Sequence, residues 1–136
     1  MELMRAGSRP TKRAPEAYFT GEVYQDPVIE APAPAQLRSL VVHFMPGART
    51  HWHTHPRGQT LHVLSGVGRF QTDGEALVEL RPGDTVWIPP GERHWHGAAP
   101  GTAMVHIAMQ EADPETGSAV TWEEAVDDET ASAEIG

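Results

Sequence analysis

Gly68-Arg69-Phe70-Gln71-Thr72-Asp73-Gly74-Glu75-Ala76-Leu77-Val78-Glu79-Leu80-Arg81-Pro82-Gly83 reads as a β-hairpin. Asp73-Gly74 between two strand-length runs is a strong two-residue hairpin signal. The second run, 76–80, stops at Pro82-Gly83. The same punctuation continues outward in both directions. Upstream, 59–65 stops at Gly66, 48–55 at Pro56-Arg57-Gly58, and the apolar run 37–44 at Pro46-Gly47. Downstream, 85–88 runs into Pro89-Pro90-Gly91, His94-Trp95-His96 runs into Gly97, and 104–110 is the last clear strand. A first strand over 18–24 ends at Asp26-Pro27, followed by the extended connector Ala31-Pro32-Ala33-Pro34. Short strands closed by turns this regularly predict an all-β sandwich or barrel. Only 122–130 has a helical pattern, opening at Thr121 with Glu123 and Glu124 in the first turn.

The 136 residues are one domain's worth, and 39 % of them are apolar, enough to bury a core. With 12 prolines and 13 glycines the chain is too punctuated for a helical bundle. It has no cysteine, which excludes a disulfide scaffold, a thiolate metal site and a cysteine nucleophile. The net charge of −9 is uneven: residues 1–110 carry ten basic and ten acidic groups, whereas 111–136 carry nine acids and no Lys or Arg. A neutral body with an acidic end argues against a nucleic-acid partner. Three parts follow: an N-terminal arm over 1–17, a β-barrel over 18–110, and an acidic C-terminal segment over 111–136 with a short helix and a solvated, frayed end. No run approaches the ~18 apolar residues of a membrane span, and no apolar stretch follows the N-terminal charges. A soluble, cytoplasmic protein is expected.

The chemistry centres on His53-Thr54-His55. On a strand, residues two apart point to one face, so both imidazoles can reach one ion from the inner wall. Gln59 lies four residues on, across a Pro-Arg-Gly turn, and offers an amide oxygen. His94, from a distant strand, closes the set. All four are neutral donors. Imidazoles suit iron, nickel, copper or zinc, while the amide oxygen leans towards manganese.

The spacing around these residues resembles the two motifs of the cupin superfamily. A glycine, five residues, His-X-His, three or four residues, an acid, six residues and a glycine map onto Gly47, His53, His55, Gln59 and Gly66. A glycine, five residues, Pro-X-Gly, two residues and a histidine map onto Gly83, Pro89, Gly91 and His94. Two positions depart from the pattern: Gln59 replaces the usual glutamate, and Ala98 stands where asparagine is common. Without an anionic protein ligand a bound dication keeps its full charge, which favours Lewis-acid work over redox chemistry. The resemblance implies a jelly-roll-like β-barrel.

A narrower resemblance rests on Pro46-Gly47-Ala48-Arg49-Thr50, His53-Thr54-His55-Pro56, Gly58-Gln59-Thr60 and the run from Gly91 to Pro100. These stretches are similar to the manganese-dependent cupin hydroxynitrile lyases of bacteria. That resemblance implies cleavage or formation of cyanohydrins, with the ion on His53, His55, Gln59 and His94. It implies His106 as general base. Cyanide would then depart towards a protonatable group, His96 or the charged His106. The alternative for His106 is a histidine satisfied within the core. Parity places Leu40, Val42 and Phe44 on one inward face, Leu61 and Val63 on Gln59's face, and Met104, His106, Ala108 and Gln110 together. Leu40, Val42 and Gln110 are thus the expected substrate contacts in a mostly apolar cup for a small aldehyde-derived substrate. By the same parity His51 shares His53's face, at the barrel mouth. Arg49 has a surface role or binds a substrate carboxylate. Rival readings are a metal-dependent dioxygenase on the same ligands and a non-catalytic small-molecule-binding protein. Small cupins of the kind it resembles pair into dimers or tetramers, so a homo-oligomer is expected.

Overall fold

A computed structural model describes residues 1–135. In chain order the strands are β1 Lys12–Arg13, β2 Phe19–Thr20, β3 Val23–Glu30, β4 Leu37–Phe44, β5 Arg49–Thr50, β6 His53–Thr54, β7 Gln59–Gly66, β8 Gly68–Thr72, β9 Val78–Leu80, β10 Thr85–Ile88, β11 His94–Ala98, β12 Met104–Glu111 and β13 Thr121–Trp122; one helix, α1 Asp128–Ser132, follows. One sheet runs β1-β3-β4-β12-β7-β10. The other runs β13-β6-β11-β5-β2, with β8 on the far side of β11 and β9 beyond it. The two sheets curl around one core, so the chain is all-β as its turns require.

Alternation builds that core. On β7, Gln59, Leu61 and Val63 are buried while Thr60 and His62 are not. Phe44, Leu61, Ile88 and Met104 of the first sheet meet Phe70, Leu80 and Ala98 of the second. Each large side chain removed from water there contributes about 1.5–3 kcal/mol. Leu61, Val63 and Met104, which share inward faces with Gln59 and His106, belong to this packed core and do not line the pocket.

The hairpin is wider than a two-residue turn: β8 ends at Thr72, β9 begins only at Val78, and Phe70 lies opposite Val78. Three further expectations need correction. The first strand does not end at Asp26-Pro27, because β3 runs on to Glu30. Pro27 is tolerated there because β1 covers only Tyr24 and Gln25, leaving the strand edge free, and the register shifts at a bulge between Pro27 and Ile29. The run over 48–55 is two strands, broken at His51-Trp52. Arg49 pairs with Gly97 but His53 with His94, four residues against three, so this strand carries one extra residue. That bulge swaps the facing: Thr50 turns into the pocket together with His53, and His51 does not. The third correction is the helix, which spans 128–132 and not 122–130. Asp127 caps it, accepting from the Thr130 amide at 2.6 Å. Thr121 and Trp122 instead pair with Thr54 and His53.

The acidic segment is anchored rather than frayed. Arg49, 7 % exposed, donates to Val126 O at 2.8 Å and pairs with Asp128 at 2.7 Å. It is therefore neither a surface group nor a substrate anchor. Arg38 reaches Gly117 O, Arg69 reaches Ala131 O, and Arg93 binds Asp73, Glu123 and Glu124 while stacking on Trp52 at 4.4 Å. The charge asymmetry of the sequence thus becomes a clasp between body arginines and the C-terminal segment.

Gly97 lets β11 cross β5 closely. A Cβ there would sit 2.6 Å from Arg49 Cβ and 2.7 Å from its Cα, and would strike Ala48 O. We expect Gly97→Ala to destabilise by about 3 kcal/mol or more, since backbone must move. A urea midpoint indistinguishable from wild type would contradict this.

Candidate metal centre

The site lies where β6 crosses β11. His53 and His94 face each other in register, with ring centroids 4.2 Å apart. His55 follows β6, its ring 5.0 Å from His53 and 5.6 Å from His94. Gln59 opens β7, and its Oε1 lies 3.1 Å from His94 Nε2. All four side chains are buried. The structure therefore gathers His53, His55, Gln59 and His94 from three elements into one place.

Backbone carbonyls orient the three rings. His53 Nδ1 donates to His51 O at 2.8 Å, His55 Nδ1 to Ala119 O at 2.7 Å, and His94 Nδ1 to Glu92 O at 2.8 Å. Each neutral ring spends its one N–H this way, so each Nε2 is a bare lone pair. Gln59 is fixed likewise: its Nε2 donates to Gln110 Oε1 at 3.1 Å, and Gln110 donates to Arg38 O at 3.2 Å. The carboxamide oxygen must then face inward. His55 Nε2 is buried with no partner, and His94 Nε2 confronts an amide oxygen, acceptor against acceptor. A shared cation satisfies lone pairs that otherwise repel, so the residues fit a divalent ion.

Burial keeps the rings neutral. Desolvation pushes His94 down to about 4, and it drives His53 well below its usual range with help from His94 and His55. His55 moves the same way for the same leading reason. Neutral imidazole is the ligand form.

Gln110 has a role that parity alone did not suggest. It lines the pocket, but its hydrogen bond also aims the Gln59 oxygen. We expect Gln110→Leu to weaken binding of a divalent ion by about 10-fold or more, as loss of an orienting partner does. Titration calorimetry giving a wild-type Kd would refute that role.

A cavity of about 150 Å³ opens beside these donors. Leu40 and Val42 line it, as expected, with Phe19, Phe44, Thr50 and Trp122. His96 and His106 are also on the wall, joined by a hydrogen bond of 2.9 Å between His106 Nε2 and His96 Nδ1. Their outer nitrogens, His96 Nε2 and His106 Nδ1, are buried without partners. Burial holds His106 at about 4; it also drives His96 well below its usual range, with His106's charge adding. Sequence reasoning missed Thr50, hidden by the bulge, and the C-terminal wall. Trp122 lies tilted against His53, ring centroids 4.7 Å apart, and Ala119 supplies both wall and carbonyl.

Residues 40–110, more than half of the chain, match the family model described as the Cupin domain. The chain belongs to the cupin family. This cupin is 54 % identical over 129 residues to the (R)-mandelonitrile lyase of Granulicella tundricola, covering 95 % of this chain and 97 % of that protein. It also resembles a cupin-like protein of Thermotoga maritima, with TM-score 0.80 and 36 % identity over 96 % of this cupin and 95 % of that chain. The polyketide cyclase RemF of Streptomyces resistomycificus shares the fold alone, with TM-score 0.73 and 20 % identity over 94 % and 89 % of the two chains. Among the described residues of this cupin no helix is long and apolar enough to cross a membrane.

Proposed function

We propose that this cupin is a hydroxynitrile lyase, cleaving or forming cyanohydrins of small aldehydes. The observation that carries the reading is the hydrogen-bonded His106–His96 pair beside the four-donor cluster in an apolar pocket. The 54 % identity to an (R)-mandelonitrile lyase supports it. A divalent ion on His53, His55, Gln59 and His94, best Mn(II) given the amide oxygen, supplies Lewis-acid stabilisation of negative charge on the substrate oxygen.

The chain's own groups handle the proton. Neutral His106 accepts the hydroxyl proton at Nδ1, its unpartnered nitrogen. Its Nε2–H passes to His96 Nδ1 along the 2.9 Å hydrogen bond. His96 gives up its Nε2–H to the departing cyanide. The C–CN bond breaks with its electron pair going to cyanide, the oxygen's pair forms the carbonyl, and hydrogen cyanide leaves. The pair ends as the opposite tautomer, poised for the reverse reaction. Leu40, Val42, Phe44 and Trp122 hold the carbonyl end in an apolar wall and keep water out. The small cavity favours small substrates.

Cyanide release from mandelonitrile tests the reading. Manganese-loaded protein should release cyanide well above the buffer rate, and chelator-stripped protein should lose at least about 90 % of that rate. No release from fully loaded protein across a cyanohydrin panel would defeat the proposal. Oligomer formation is also proposed. It is supported by Trp87 at 60 % and Leu64 at 45 % exposure on the outer side of the first sheet, and a monomer on a sizing column would remove it.

A further inference from the structure

His96 stands closer to the donor cluster than a proton carrier needs to. Ring nitrogens of His53, His94 and His96 all lie within 4.8 Å of one another. The His96 ring is 5.2 Å from His53 and 5.7 Å from His94, and its plane is within 12° of His94's. This follows from the strand. His94 and His96 are two apart on β11, and His53 pairs with His94 across the ladder. His96 Nε2 is buried and has no partner, while its Nδ1 is held by His106. A metal-ligating imidazole is arranged this way, with one nitrogen free and the other tied to a neighbour that sets tautomer and direction. In the tautomer that closes the proposed proton relay, His96 Nδ1–H donates to His106 Nε2 and His96 Nε2 is a bare lone pair, so His106 then stands to His96 as the carbonyls of His51 and Glu92 stand to His53 and His94.

We propose that His96 Nε2 is a further metal donor, so that the centre presents two overlapping ligand sets. One is His53, His55, Gln59 and His94; the other is His53, His94 and His96. The inference rests on the proposed function only in taking the first set to bind an ion. The second set is all imidazole, which suits Cu(II), Ni(II) or Zn(II), whereas the first contains the amide oxygen that Mn(II) accepts. An ion that recruits His96 holds the lone pair through which the His106–His96 pair exchanges protons with the pocket. The identity of the metal therefore sets whether that pair is free to act.

Copper(II) added to the metal-free full-length protein is the probe. Pulsed EPR counts the imidazoles coupled to copper, and calorimetry gives its Kd. His96→Asn and His96→Gln should each remove one coupled imidazole and weaken copper binding by about 10-fold or more. The Kd for Mn(II) should change by less than about 3-fold, since the amide-containing set is intact. Copper bound with an unchanged imidazole count and Kd in a folded variant overturns the inference and leaves the lyase reading standing. Wild-type protein that binds neither Cu(II) nor Mn(II) overturns both. Should both variants fail to fold, anomalous diffraction from copper-soaked wild-type crystals decides. Copper at His96 Nε2 supports the inference, and copper beyond coordination distance of that atom overturns it.

Discussion

Replacing His106 by Ala should lower kcat for cyanohydrin cleavage by about 10²–10⁴-fold, the usual range for a lost general acid–base group. Manganese content should stay at the wild-type level. The separation is geometric. His106 sits on β12 and bonds only to His96 Nδ1, whereas the donor cluster hangs from carbonyls of His51, Ala119 and Glu92. Removing the ring empties space beside Phe44, whose ring is 5.2 Å away, without touching those anchors. Because burial holds His106 at about 4, it is a neutral acceptor at pH 7, and kcat should decline only well below neutrality. Metal-replete His106→Ala enzyme with wild-type kcat would place the base elsewhere.

Acidification should weaken the metal-free fold by several kcal/mol between pH 7.5 and pH 5. His94 and His106 are held at about 4 in the folded chain against 6.5 for a free imidazole, both chiefly by desolvation. Between those values the unfolded chain binds protons that the folded chain refuses. Stability is therefore fully present above about 6.5, falls as pH drops, and levels off near the folded values. Each of these two rings contributes about 2 kcal/mol of loss by pH 5, from about 1.4 kcal/mol per unit. His53, His55 and His96 push the same way. The lowered carboxyls of Asp26 and Asp127 enter only below their ordinary value of 3.8, so they do not blur the window. Urea midpoints measured across the range check this. A midpoint that is flat from pH 7.5 to 5 would show that the histidines are not desolvated as described. Saturating Mn(II) should delay the loss, since a bound ion competes with protons for the same nitrogens.

Much of this was legible in the residues because turn chemistry is local. Asp73-Gly74, Pro82-Gly83 and the glycines around them mark strand ends with no tertiary help, and β4, β8 and β10 lie within the expected bounds. The grouping of His53, His55, Gln59 and His94 was readable because motif spacing encodes which strands meet. What could not be read was non-local. The extra residue between Arg49 and His53 shows only once β11 is beside that strand, and it puts Thr50 in the pocket instead of His51. Trp122 looked helical because Glu123 and Glu124 follow it. Its backbone is extended because β6 offers it a ladder, and the acids that follow are held at the surface by Arg93 and Arg49. The C-terminal segment is solvated along most of its length, but its anchoring is non-local, since it depends on Arg49 and Arg93 from distant strands.

Crystals grown with Mn(II) and measured at the manganese absorption edge test the central claim most directly. We predict one anomalous peak per chain, within coordination distance of Nε2 of His53, His55 and His94 and of Oε1 of Gln59. An empty centre, or a peak that leaves His55 Nε2 and Gln59 Oε1 out of reach, would contradict it.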